Sequence, residues 1–262
     1  MDKVSTFWWG EKLGPLEYLT LKSYLDHGYE VDLYVFDEVK NVPAGVRLKG
    51  AAMIAASPRQ WGAGDVRIYS DYWRFCFLAD VGGTWIDTDC PVVRKLDFIE
   101  TSEFYFGKET QQWRGGLFGG LIHSKNPGHP AMVGLKKFYE DPGGNGTTVE
   151  ERRAKIGWYA FCHEFYRFGS TLEQSGEPGR FTPLALPEAL DGKTLSTEGR
   201  YDGSVRLSDY KHSYTLHLIG CYFGHWGRGA VRGESLVGDL IRRHIGDVDV
   251  NDFLFRDRGD PD

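Results

Sequence analysis

Two aspartates one residue apart, Asp87-Thr88-Asp89, follow the short apolar run Thr84-Trp85-Ile86. In an extended chain, residues two apart project to the same side, so both carboxylates would face one point. Two hard oxygen donors at a strand end suit a divalent cation, Mn2+ or Mg2+, of the kind shared with a substrate diphosphate. An isolated D-x-D equally describes a solvated acidic turn. Upstream, Asp71 and Arg74 are spaced i, i+3 and are neighbours on one helical face inside an aromatic and apolar stretch. They read either as an ordinary helix ion pair or as polar groups facing the cleft that holds the D-x-D. Ligands of open α/β sheets bind beyond the carboxyl ends of the strands, where Asp87 and Asp89 would lie.

These groups need elements to position them. Residues 3–9 read as a strand ending in the loop 10–15. Leu16, Leu19, Leu21 and Leu25 predict a helix closed near His27-Gly28, and residues 31–36 alternate as a second strand. Strand, helix and strand in that span make a βαβ unit, which favours a parallel sheet. A second helix is expected over 65–80, capped by Asp65 and ended by Gly82-Gly83, and it leads into the strand 84–86. Further strands are predicted at 103–106, 117–123 and 214–218, and helices at 130–139, 150–168 and 235–245. The stretch 141–146, Asp-Pro-Gly-Gly-Asn-Gly, reads as a loop between helices. The expected fold class is α/β, a mixed and mainly parallel sheet flanked by helices, in one domain over 1–262 with a frayed tail at 256–262.

Composition narrows the function classes. With 41% hydrophobic, 26% charged and 15% aromatic residues, the chain is neither disordered, collagenous nor a coiled coil. The 8 Trp, 14 Tyr, 16 Phe and 34 Gly would serve a large core first and a binding cleft second. The net charge is 31 − 37 = −6 and no Lys/Arg run exceeds two, so no basic nucleic-acid-binding face is evident. Cys76, Cys90, Cys162 and Cys221 form no C-x-x-C pair and read as reduced, buried thiols. The N-terminal run 4–9 is too short and bulky for a signal-peptide core, and no segment is apolar for the roughly 18 residues a membrane span needs. The expectation is a cytoplasmic protein. Peripheral contact at the inner membrane surface would run through the helix carrying Arg242 and Arg243.

The string S-D-x-x-R-x-x-x-L-x-x-x-G-G-x-x-x-D-x-D is matched by Ser70, Asp71, Arg74, Leu78, Gly82, Gly83, Asp87 and Asp89. It resembles the D-x-D sugar-transferase family that includes fungal initiating mannosyltransferases, capsular polysaccharide transferases and the glucosylating domain of large clostridial toxins. Phe7-Trp8-Trp9-Gly10 looks like that family's first strand. Gly119 to His123, followed by Pro127-Gly128-His129-Pro130, looks like its later strand and helix start. The resemblance implies a GT-A fold and transfer of a hexose, with retention, from a UDP- or GDP-linked nucleotide-sugar to a hydroxyl acceptor. It also implies roles. Asp89 binds the metal, and Asp87 serves the sugar or ribose and the metal. Asp71 and Arg74 hold donor hydroxyls beside Gly83, and a first-strand Trp, Trp8 or its rival Trp9, stacks on the base. His217, in an H-x-x-G pattern followed by a Trp, is the candidate third metal ligand, with His225 second, and Trp226 would close over the diphosphate. Residues 1–106 would then form the donor half and 107–255 the acceptor half.

Relatives often carry a polar residue where glycines stand in 117–123, and Gly157-Trp158-Tyr159-Ala160 lacks the family's T-G-P start. Both departures leave the acceptor open: a capsule or lipopolysaccharide glycan first, a protein or modified nucleic-acid base as alternatives. Two rival readings remain, a D-x-D phosphohydrolase and a catalytically silent sugar-nucleotide-binding protein. Asp87 and Asp89 on one side of one strand cannot flank a sugar about 5 Å apart as a double displacement requires. Front-face displacement is the expected route.

Overall fold

The computed structural model describes residues 2–57, 66–97, 99–108, 117–140, 199–210, 213–218 and 231–255. Six strands send alternate side chains into two apolar layers. They are β1 (Lys3–Trp8), β2 (Glu30–Val35), β3 (Arg47–Gly50), β4 (Gly83–Ile86), β5 (Phe104–Lys108) and β6 (Leu117–Ser124). The order across the sheet is β3-β2-β1-β4-β6-β5. The β3–β2, β2–β1 and β1–β4 pairings are parallel, and β6 runs antiparallel to both β4 and β5. The sheet is thus mixed and mainly parallel, the fold class expected, and the βαβ start accounts for its parallel half.

Helices α1 (Pro15–Asp26), α2 (Val66–Asp80) and α3 (Pro130–Glu140) cover the sheet. Phe7, Tyr34, Trp85 and Ile122 form one layer with Trp73, Phe77 and Leu135 of α2 and α3. Trp73 is fully buried there, stacked on Phe7 at 5.1 Å and on Phe77 at 5.8 Å, and its indole N–H donates to Ala51 O at 3.2 Å. Val4, Val31, Leu33, Ile86 and Leu121 form the opposite layer with Leu21 and Tyr24 of α1. Leu16 and Leu19, on another side of α1, join a third cluster with Leu216, Leu218, α5 (Leu236–His244) and α6 (Val250–Phe255). Because α1 is packed on two sides, its leucines spread around the helix instead of forming one stripe. A single turn, α4 (Gly199–Asp202), precedes α5 and supplies Tyr201 to that third cluster.

The α2–β4 turn needs glycine. Gly82 has φ of +75°, and its N–H donates to Phe77 O at 3.1 Å, closing the end of the helix. A Cβ at Gly82 would lie 2.9 Å from Ser124 O and from the Asn126 carbonyl carbon, so β6 closes tightly over this position.

Three features depart from the sequence reading. The segment 214–218 is not a strand. It is an extended run with one bridge, Val92 to Thr215, because its backbone bonds go to the irregular stretch 89–93. β3 was not expected, since Arg47-Leu48-Lys49-Gly50 is exposed and polar. An edge strand needs no buried face, and Arg47 Nε holds it to the buried Asp32 of β2 at 2.6 Å. Helix α6 is too short to leave a periodic signature. The predicted helix 150–168, the loop 141–146, the cap Asp65 and the tail 256–262 lie outside the described residues. No helix among the described residues is long and apolar enough to cross a membrane. Arg242 of α5 is engaged by Asp239 and by Gly233 O at 2.6 Å.

Candidate functional site

Asp87 leaves β4 with its N–H donating to Gly120 O of β6 at 2.9 Å. The chain then turns, closed by the Cys90 N–H donating to Asp87 O at 3.2 Å. The extended-strand geometry expected for Asp87 and Asp89 is therefore replaced by a turn, and the two carboxylates enter different environments.

Asp87 belongs to a buried network on the α2 side. The Trp85 indole N–H donates to Asp87 Oδ1 at 2.8 Å, and an Arg74 guanidinium nitrogen lies 3.4 Å from the same oxygen. Arg74 also donates to Asp71 and to Gly119 O of β6, and its guanidinium lies 5.2 Å over the Trp85 ring. The Tyr139 hydroxyl of α3 reaches the same Asp71 carboxylate. Burial opposes the Arg74 charge, but Asp87 and Asp71 outweigh it and hold the guanidinium firmly protonated. Burial pushes the Asp87 carboxyl up and Asp89 adds to the push, with Arg74 and the indole N–H pulling the other way. The i, i+3 pair seen in the sequence is thus the exposed end of a chain of four elements. Asp71 is its open member, with about a third of its side chain exposed against 7% for Arg74.

Asp89 turns to a different set. Its Oδ2 lies 3.6 Å from His217 Nε2, and the Cys90 thiol donates to its Oδ1 at 3.6 Å. One potential ligand atom from each of Asp89, Cys90 and His217 falls within 4.8 Å of the other two. Asp87 is not in that set. His217 is delivered by backbone pairing: Leu216 N–H donates to Pro91 O at 3.0 Å and Leu218 N–H to Asp89 O at 2.9 Å. Leu216 and Leu218 are buried against the α5–α6 cluster, so the residue between them faces the other way, toward Asp89.

The loop after β1 brings the remaining groups. β1 pairs with β4 with Ser5 opposite Trp85, which puts Phe7 level with Asp87 and Trp9 just beyond. Trp8 and Trp9 part company here. The Trp8 indole packs toward the α1 layer, lies against Gly10 and donates to Lys12 O at 3.2 Å. Trp9 packs on the α2 layer that also holds Trp73 and Trp85. Gly83 opens β4 at the end away from Asp87, about 13 Å along the strand at 3.3 Å per residue. Its φ of +104° serves the helix-to-strand turn, which accounts for the glycine without a ligand. His225 and Trp226 lie outside the described residues.

Two residues at this site escaped the sequence reading. Cys90 is the reduced, buried thiol expected, but it directly follows the D-x-D and that position was not weighed. Glu17, in the first turn of α1, folds its carboxylate over Gly14, where a Cβ would collide with it. Burial pushes the Glu17 carboxyl up, the backbone N–H groups of Glu17 and Gly14 pull it down, and Asp89 raises it further. Its signal was the Gly-Pro helix start just after β1, where an acidic first-turn residue is favourable.

The sheet order explains why these groups meet. From β1 the chain steps to β2 and β3 on one side, and β4 lies on the other. The β1–β4 boundary is a topological switch point, and ligands of open α/β sheets bind at its carboxyl end. Trp9, Glu17, Asp87, Asp89 and Cys90 all come from segments leaving that end. Two cavities, of about 320 and 420 Å³, have no residue of this site in their walls.

No family model and no curated protein matches the chain. Among solved structures it is similar to the PaToxG glycosyltransferase, with 13% identity and a TM-score of 0.45 over 66% of this chain and 72% of the other. It is also similar to a transferase mutant, with 14% identity and a TM-score of 0.36 over 63% and 89% of the two chains.

Proposed function

We propose that the chain is a metal-dependent, retaining glycosyltransferase of the D-x-D type, moving a hexose from a nucleoside-diphosphate sugar to a hydroxyl acceptor. The observation that carries the reading is the convergence, at the carboxyl end of the β1–β4 boundary, of a ligand-bearing cluster with the Asp71–Arg74–Asp87 network. When bound, a divalent cation there offsets the charge building on the departing diphosphate. Asp89 and His217 are the residues to hold it. Arg74, locked by Asp71, Asp87 and Gly119 O, fixes both carboxylates at the crevice, and the partly open Asp71 accepts hydrogen bonds from donor-sugar hydroxyls. Trp9 offers the ring face for the base, because it shares the Trp85–Asp87 side while Trp8 is committed to the loop.

The sugar's anomeric C–O bond to the diphosphate breaks as the acceptor oxygen approaches on the same face. The acceptor proton passes to the leaving diphosphate. This mechanism uses no carboxylate nucleophile, so trapping a covalent glycosyl-enzyme would overturn it. A glycan of capsule or lipopolysaccharide type is the first acceptor to test.

The direct assay is release of nucleoside diphosphate from a panel of nucleotide-sugars with Mn2+. One donor should be turned over slowly without acceptor, and Asp89→Ala should lower that rate at least about a hundredfold, the scale of losing one electrostatic stabiliser. Phosphate release from simple phosphomonoesters, or binding of every donor with turnover of none, would sink the proposal. Trp9→Ala should raise the donor KM roughly two- to tenfold with little change in kcat, as loss of one stacking contact predicts. A larger KM effect from Trp8→Ala would move the role to Trp8.

A further inference from the structure

We propose that Cys90 is itself a metal ligand, and that the centre it forms with Asp89 and His217 takes a borderline transition-metal dication such as Zn2+ or Co2+ in preference to Mg2+. The proposal rests on reading this cluster as a metal centre and goes further by assigning the sulfur.

The geometry comes first. Zinc-like bond lengths of about 2.3 Å to sulfur and 2.1 Å to nitrogen or oxygen, at tetrahedral angles, separate ligand atoms by about 3.4 to 3.6 Å. The Asp89 carboxylate presents Oδ1 to Cys90 Sγ at 3.6 Å and Oδ2 to His217 Nε2 at 3.6 Å. These are two different oxygens, and one atom from each of the three residues falls within 4.8 Å of the other two, so shifts of about an ångström would draw them into a single coordination sphere. Backbone fixes the placement on both sides. The Asp87–Cys90 turn sets Asp89 and Cys90, and the pairing of 216 and 218 with 91 and 89 sets His217.

The setting of the thiol is the second argument. The other described cysteine, Cys76, is buried in the aromatic cluster of α2, and its thiol is hydrogen-bonded with the Tyr72 hydroxyl. Cys90 is equally buried but belongs to none of the three apolar clusters, and its sulfur faces a carboxylate and an imidazole.

Third, Asp87, the oxygen ligand that would make the centre hard, is held by Trp85 and Arg74. What remains is an O, S, N set, and a thiolate selects against Mg2+, which binds oxygen almost exclusively. Binding is not a redox step. The Cys90 thiol proton leaves to solvent, the sulfur lone pair forms the bond to the cation, and the charges of Asp89 and the thiolate cancel those of the dication. Three protein ligands leave a coordination position open for substrate.

The test is cobalt spectroscopy on the full chain, stripped with chelator and titrated with Co2+. A near-ultraviolet thiolate-to-cobalt charge-transfer band should rise together with the visible bands of bound Co2+, and a hundredfold excess of Mg2+ should not displace them. Cys90→Ser should abolish the charge-transfer band and weaken cobalt binding at least tenfold, while Cys76→Ser, Cys162→Ser and Cys221→Ser each keep the band. Should Cys90→Ser fail to fold, survival of the band in all three other variants assigns it to Cys90 by elimination. Visible bands of bound Co2+ without charge transfer, or a charge-transfer band that survives in folded Cys90→Ser or is lost in Cys221→Ser, would overturn the sulfur assignment and leave the metal centre standing. Absence of any cobalt binding would overturn both.

Discussion

Arg74 is nine-tenths buried and carries a full charge, so its value depends on what surrounds it. Two carboxylates, a backbone carbonyl and the Trp85 ring compensate the guanidinium, although its Nε is buried without an acceptor. Removing the arginine leaves Asp87, whose side chain is about a quarter exposed, without its cation, and a partly buried charged group that loses its partner typically costs about 1–3 kcal/mol. Arg74→Met should therefore lower the unfolding midpoint, and Arg74→Met combined with Asp87→Asn should recover part of the loss, because the one carboxylate then left without its arginine is the more exposed Asp71. Chemical denaturation of the two single variants and the double variant measures this. If the two substitutions simply add, the residues are not energetically coupled and the network is incidental. At this scale the sequence showed a good deal. Asp71 and Arg74 were legible as an i, i+3 pair, and Asp87 and Asp89 as carboxylates at a strand end. That Asp87 would turn to Arg74 while Asp89 turned to His217 was not legible. The division depends on the turn at 88–90 and on Trp85, whose indole N–H reaches forward two residues.

Elements are held in place by a few charged contacts as well as by packing. Asp239, in the first turn of α5, accepts from Arg206 at 2.7 and 2.8 Å and from the Leu207 N–H at 3.0 Å, and it also pairs with Arg242. Burial opposes its charge, but these donors outweigh the burial and hold its carboxyl below the usual range. A carboxylate depressed in the fold stabilises the protein at pH values above its unfolded pKa, near 3.9, and that contribution is lost as pH falls through the lower folded value. Asp239→Asn should cost about 1–3 kcal/mol at pH 7, the scale of hydrogen bonds to a charged group. The gap between variant and parent should narrow steadily below about pH 4. Urea melts at pH 7 and pH 3 check both halves, and a gap that stayed constant with pH would show that the charge contributes nothing. Helix α5 itself was readable from its apolar spacing and from Ser235, which caps it by accepting from Gly238 N–H at 3.1 Å. The role of Asp239 was hidden because, apart from Arg242 one turn on, its partners Arg206 and Leu207 lie more than 30 residues earlier. The same reason made 214–218 look like a strand: its alternating residues do face opposite sides, but the neighbour is the irregular stretch 89–93 and not a sheet edge.

At the scale of the whole molecule, the candidate metal centre joins two packing units. Asp89 and Cys90 hang from β4 of the sheet, whereas His217 belongs to a segment anchored by Leu216 and Leu218 in the α5–α6 cluster. A cation held by all three would act as a cross-link between them, and anything that binds the native state alone stabilises it by mass action. At a hundred times its dissociation constant, the gain is about 2.7 kcal/mol. For a chain of this size that should raise Tm by roughly 5–11 °C. His217 is a quarter exposed, so His217→Ala should leave the metal-free Tm near that of the parent while removing most of the metal-induced rise. Asp89→Ala should behave likewise. Scanning calorimetry with and without Zn2+ or Mn2+ distinguishes the cases. An equal rise in His217→Ala would mean that the cation binds on the β4 side alone, and the 213–218 segment would then owe its place only to the leucines that bury it. A rise lost in both variants makes the centre a structural tie between sheet and helices as well as a seat for the diphosphate. Closing the crevice and binding the donor would then draw on the same three side chains.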